Sequence, residues 1–213
     1  MNTNLDNQPR VTTSRIALVL TCALVLAACA TTTTPHSTSR IEIQDEVGFT
    51  ITEDARIGGD VRTDYEAALG LLEQGRHEQG IELLQEVAGE APQLSAPRID
   101  LGIAYHRAGD LDAAEKSLLQ ALALSPGHPV VHNELGIVYR KKGRFAEARA
   151  RYEAALAIYP NYHYARRNLA ILCDLYLADL HCALDNYEAY MRTVPGDDEA
   201  TMWIADIRTR IGQ

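Results

Sequence analysis

Beyond residue 60 the apolar positions fall at helical spacing. Leu101, Tyr105, Leu118 and Ala121 form one stripe, and Ala200, Trp203, Ile204, Ile207 and Ile211 form another near the C-terminus. Upstream the pattern changes. Ile41-Glu42-Ile43 and Phe49-Thr50-Ile51-Thr52 alternate like short strands. Residues 41–60 are read as an irregular, partly ordered lead-in, with an extended segment lying along the first helices as the alternative. Earlier still, Ile16–Leu26 is an apolar run too short to span a bilayer as a mature helix.

Punctuation divides the helical part. Gly75, Gly109 and Gly143 recur every 34 residues, and so do Pro92, Pro126 and Pro160. Glycine ends a helix where the backbone turns left-handed, and proline stops the helix that follows. A period of 34 with this punctuation marks helix-turn-helix units that bury their stripes only by stacking.

The residues inside the period resemble the tetratricopeptide repeat. Unit 95–128 carries Leu101, Gly102, Tyr105, Gly109, Ala114, Ala121 and Pro126, and unit 129–162 carries Leu135, Gly136, Tyr139, Gly143, Ala148, Tyr152, Ala155 and Pro160. Unit 61–94 fits by residue size. The small residues Gly102 and Gly136 are expected where the two helices of a unit touch, opposite Ala114 and Ala148. Unit 163–196 has no turn glycine, and its Pro195 comes 35 residues after Pro160, so one residue has entered the turn. Segment 197–213 reads as a capping helix, with Asp197 and Asp198 able to cap its start and Arg208 and Arg210 near its end. The resemblance implies an all-α fold, a right-handed superhelix of about four helix-turn-helix repeats plus a C-terminal capping helix.

The N-terminus is not part of that fold. Arg10 and Arg15 precede the apolar run, which ends in Leu26-Ala27-Ala28-Cys29. This resembles the lipobox of bacterial lipoproteins and implies a signal peptide at 1–28 and lipidation at Cys29. Cys22, after Thr21, fits the cleavage site less well, and an ordinary signal peptide with a chance Cys is the alternative. Ala30 rather than Asp follows Cys29, which in that family favours the outer membrane, facing the periplasm. Residues 29–60 then form the lipidated Cys and a flexible tether and lead-in, rich in Thr and Ser over Ala30–Arg40.

A formal net charge of −9 argues against nucleic acid as a partner, and 46% hydrophobic residues suffice for a core. Cys173 and Cys182 flank the irregular turn. In an oxidising compartment they either form a disulfide or remain two buried thiols. No phosphate loop, zinc-protease pair or nucleophile elbow is present, so no enzyme activity and no cofactor are expected. His128, His132 and His163 are read as surface or packing residues rather than metal ligands.

In arrays of this family the first helices of successive units line a concave groove. Counting along the units nominates Ile99, Ile103, His106 and Arg107, then Asn133, Ile137, Arg140 and Lys141, then Tyr164, Arg167 and Ile171, with Lys142 and Arg166 beside them. This is a basic strip with apolar floor residues on an acidic protein, suited to a protein partner through an acidic segment. The sixth places, Glu66, Asp100, Glu134 and Asn168, lack the family's carboxylate clamp. The implied role is a lipid-anchored scaffold of the cell envelope, serving for example pilus or secretin assembly, cell-wall enzyme regulation or an energised outer-membrane import system. The alternative is a self-associating unit whose groove takes another copy or its own segment 41–60.

Overall fold

The computed structural model describes residues 39–44, 48–53 and 57–212. The segment 1–28 read above as a signal peptide, Cys29, and the Thr-rich stretch up to residue 38 lie outside the described residues. Two strands, β1 (Ser39–Gln44) and β2 (Gly48–Glu53), precede nine described helices: α1 (Gly59–Glu73), α2 (His77–Glu90), α3 (Ala96–Ala108), α4 (Leu111–Leu124), α5 (Pro129–Lys141), α6 (Phe145–Ile158), α7 (His163–Leu175), α8 (Leu180–Thr193) and α9 (Asp198–Arg210). None of them is long and apolar enough to cross a membrane.

Consecutive helices pair as α1 with α2, α3 with α4, α5 with α6 and α7 with α8, and α9 packs on α8. Gly75, Gly109 and Gly143 take φ values of 77°, 87° and 75° at the turns inside the first three pairs. Each turn closes with a bond from the next amide to a carbonyl five residues back: Arg76 to Leu71, Asp110 to Tyr105 and Arg144 to Tyr139. Prolines at the starts of α3 and α5 suit a position whose N–H has no helical partner. The main core runs from α3 to α9 through Leu118, Leu135, Tyr152, Leu172, Tyr187 and Ile207, and a smaller cluster of Ala68, Leu84, Ala88 and Leu101 serves the first pair.

The close approach inside a pair differs in detail from the expectation. A methyl on Gly102 would meet Leu118 Cγ at 2.5 Å, and one on Gly136 would strike the Tyr152 ring. The residues facing these glycines are thus the large ones a turn beyond Ala114 and Ala148. Glycine is needed so that a bulky side chain can lie against bare backbone.

The fourth pair turns differently. Ala178 occupies the left-handed region at φ 53°, and the closing bond runs six residues back, from Asp179 N to Cys173 O at 2.9 Å. Asp179 then caps α8 by accepting from Cys182 N at 3.1 Å. A disulfide joins Cys173 to Cys182, with Cα atoms 5.9 Å apart. The inserted residue is therefore held by a hydrogen-bonded ring and a covalent bond.

The lead-in is not irregular. β1 and β2 form an antiparallel hairpin with Ile41 opposite Ile51 and Ile43 opposite Phe49. Alternation puts these four side chains on one face and Arg40, Glu42, Thr50 and Thr52 on the other. The apolar face has something to bury against: Phe49 meets the rings of Tyr159 and Tyr162 edge-on at 5.3 and 5.5 Å. A methyl on Gly127 would sit 3.4 Å from Ile41 Cδ1. The Glu53 carboxylate accepts from Ser95 N at 2.9 Å and from the Ser95 hydroxyl, capping α3 in place of the Ser95 side chain. The hairpin thus lies across three successive turns between helix pairs.

Candidate functional site

Direct contacts between α3 and α5 and between α5 and α7 mark the first helices as the inner layer of a curved stack. Their inner faces carry the nominated groove residues, and the structure sorts these into three groups.

Ile99 and Asn133 are not available to a partner, being 6% and 2% exposed. The next first helix packs directly against their own, so the residues at the fifth place of the second and third units are sealed between helices. Ile99 joins the core. Asn133 donates to Glu134 Oε1 and accepts from Asn168 Nδ2, both at 3.0 Å, which ties α5 to α7.

Arg140 and Arg167 are half-buried and engaged. Arg140 lies 5.6 Å from the Tyr176 ring centroid and reaches the Tyr176 hydroxyl at 3.4 Å. The buried Tyr152 phenol stands next to it, and burial pushes that phenol up to about 12. Arg167 lies 5.3 Å from the Trp203 ring centroid and pairs with Glu199 at 3.3 Å, so it fastens the capping helix. Two cations expected beside the strip are elsewhere. Lys142 binds Asp112 and Glu115 at 2.6 Å each, across the pairs. Arg166 holds Asn186 Oδ1 and Pro160 O.

The remaining candidates form the open groove. Ile103, His106, Ile137 and Ile171 are half-buried along it, and Arg107 and Lys141 are exposed and unpaired among the described residues. Burial depresses His106, and the positive charges of Lys141, Arg107 and Arg140 depress it further. His106 therefore feels three cations, Arg107 on its own helix and Arg140 and Lys141 on the neighbouring one. Sequence counting missed how Asp100 and Glu134 modify this strip. Burial raises both carboxyls, and Arg107 draws both back down. The Tyr65 hydroxyl donates to Asp100. The acids at the sixth places thus bring negative charge near Arg107. Ile103, Arg107 and Asp100 line a cavity of about 220 Å³ with Leu69, Leu72 and His77. Tyr164, also counted into the groove, instead borders Gly48 and Phe49 of β2.

The histidines are packing residues. His132 Nε2 hydrogen-bonds Pro126 O at 3.0 Å, and His128 is buried beside it. The described part of segment 41–60 meets the turns, through Phe49 on Tyr159 and Tyr162 and Glu53 on Ser95, rather than Arg107, Arg140 and Lys141.

A family model described as tetratricopeptide repeat matches residues 71–135 and 106–169. No curated protein matches the chain by sequence. Among solved structures, MamA from Desulfovibrio magneticus RS-1 is similar, with TM-score 0.66, 20% identity, and 74% of this chain and 88% of that one covered. PilF of Pseudomonas aeruginosa is similar with TM-score 0.64, 20% identity, and 70% and 68% covered. The first tetratricopeptide unit of Spaghetti, bound to the HSP90 peptide SRMEEVD, is similar with TM-score 0.54, 22% identity, and 57% and 95% covered. At these identities the likeness is one of fold.

Proposed function

This chain is a tetratricopeptide-repeat protein, and from that premise we propose that it is a lipid-anchored scaffold of the cell envelope that grips an acidic, extended segment of a partner protein in its concave face. Arrays of this family act as protein–protein interaction scaffolds by holding partners rather than by catalysis. The observation that carries the groove reading is the convergence of Arg107, Arg140 and Lys141 around His106 in a chain of net charge −9. An extended acidic segment fits it, because charge-assisted bonds to Arg and Lys direct such peptides while apolar floor residues supply area. The Spaghetti neighbour holds a peptide with three acidic residues, SRMEEVD. The anchor rests on Leu26-Ala27-Ala28-Cys29, and a lipid there would hold the array at the periplasmic side of the outer membrane. Roles in pilus or secretin assembly, cell-wall enzyme regulation or outer-membrane import all fit such an adaptor.

The groove is tested with the charge reversals Arg107→Glu and Lys141→Glu together, since both side chains are exposed and tie no helices. Binding of a fluorescent Glu-rich heptapeptide without aromatic residues is expected to weaken at least tenfold in anisotropy titrations. Equal binding by both proteins would rule the groove out. Mass spectrometry of the mature N-terminus tests the anchor, and an unacylated α-amine would refute it.

A further inference from the structure

The turns between helix pairs form a second surface, distinct from the groove, and the hairpin covers only part of it. Beside the start of β2 lies a cavity of about 720 Å³ lined by Phe49, Val130, Tyr159, Tyr162, Tyr164 and Arg192, among others. Its size and its mixture of rings with a few polar groups match sites that take a bulky side chain. Tyr159 and Tyr162 are each only 7% exposed, whereas Tyr164 is 58% exposed although its ring touches the cluster at 5.8 Å from Tyr162. The ring cluster is therefore open on one side. Its charge has one sign. Arg192, in the last turn of α8, makes no hydrogen bond or ion pair among the described residues, and it acts on Arg166 as a like charge.

We propose that this cavity is a second partner-binding site, which takes a Phe-like side chain flanked by carboxylates on an acidic segment of another protein. The open cluster offers ring edges and faces to an aromatic side chain. Arg192 offers an unpaired guanidinium to a neighbouring carboxylate. A cationic guest in the ring cluster is disfavoured, because Arg192 lines the cavity. The chain's own upstream segment is a poor occupant: residues 30–38 read ATTTTPHST, with neither an acid nor a Phe-like ring. Phe49 belongs to the hairpin, so the site exists only while the hairpin is seated. Its occupancy would then favour the seated hairpin in turn.

The test uses the full chain and two fluorescent heptapeptides, one with Phe between Glu and Asp and one with Phe between two Lys. The acidic peptide is expected to bind, and binding should weaken at least tenfold in Arg192→Glu and in Tyr164→Ala. Both changes are at exposed side chains, so they bear on the site even if Phe49→Ala unseats the hairpin. The Arg107→Glu, Lys141→Glu protein should still bind the Phe peptide, while losing the aromatic-free Glu peptide. Equal binding of the Lys-flanked peptide would overturn the site. So would loss of Phe-peptide binding in the groove variant with retention in Arg192→Glu, or a response traced by light scattering to self-association.

Discussion

Ala178 is the residue whose backbone departs furthest from what its side chain prefers. Three pairs turn on glycine, and the fourth turns on an alanine at φ 53°. A left-handed conformation costs an L-residue about 1–2 kcal/mol, and glycine avoids that cost while giving back part of it as unfolded-state entropy. Ala178→Gly is therefore expected to stabilise the protein by about 1 kcal/mol in urea denaturation. Gly109→Ala should do the reverse by a similar amount. No change in either variant would mean that the turns relax freely. Glycine at these turns was legible from the period alone, because the requirement is local. That an alanine would carry it in the fourth pair was not, because the inserted residue left the register within that turn undetermined.

At the scale of elements, two buried histidines mark the start of α5, His128 just before it and His132 in its first turn. Burial, then the neighbouring His132, lowers His128 from 6.5 to about 4. The unfolded chain thus takes up a proton on His128 at a higher pH than the folded one. Stability is complete above about 6.5, falls as pH drops from 6.5 to 4, and levels off below, with His128 contributing up to about 3 kcal/mol of that fall. The melting temperature of His128→Gln should depend less on pH over this window. Identical pH profiles for the two proteins would refute the assignment. The hairpin is the element where pattern and structure diverged most instructively. Alternation at Ile41, Ile43, Phe49 and Ile51 was visible, yet two strands alone are marginal in water. What makes them an element is Tyr159, Tyr162 and Ser95, more than 40 residues away.

At the largest scale, the described helix pairs form a nearly one-dimensional stack in which each pair leans on its neighbours. Between the second and third pairs, Lys142 and Arg144 clasp Glu115, and between the fourth pair and the cap, Arg210 reaches Asp174 at 2.8 Å. The disulfide closes a short loop, at a sequence separation of 9, so its removal should cost about 2–3 kcal/mol. In such a stack the loss is expected to stay local. In Cys173→Ser, Cys182→Ser, hydrogen exchange should accelerate first in α7, α8 and α9, while α3 to α6 keep their protection. Uniform acceleration along the chain would show instead that the array unfolds as one unit.

By itself the sequence determined the helices, their pairing, the period and the cap at Asp197, which accepts from Ala200 N at 3.0 Å. These follow from short-range rules: side-chain spacing on one helix, left-handed turns at glycine, helix stops at proline. Tertiary structure alone decided which groove positions are open. Ile99 and Asn133 had the right count but vanished between packed first helices. Lys142 had the right charge but was taken by Asp112 and Glu115 of the preceding pair. It also decided where the strands rest and that a ring cavity opens beside Phe49. Burial and charge pairing depend on residues of neighbouring helices that lie far along the chain, and no local pattern records which of several equally suitable neighbours a side chain will meet.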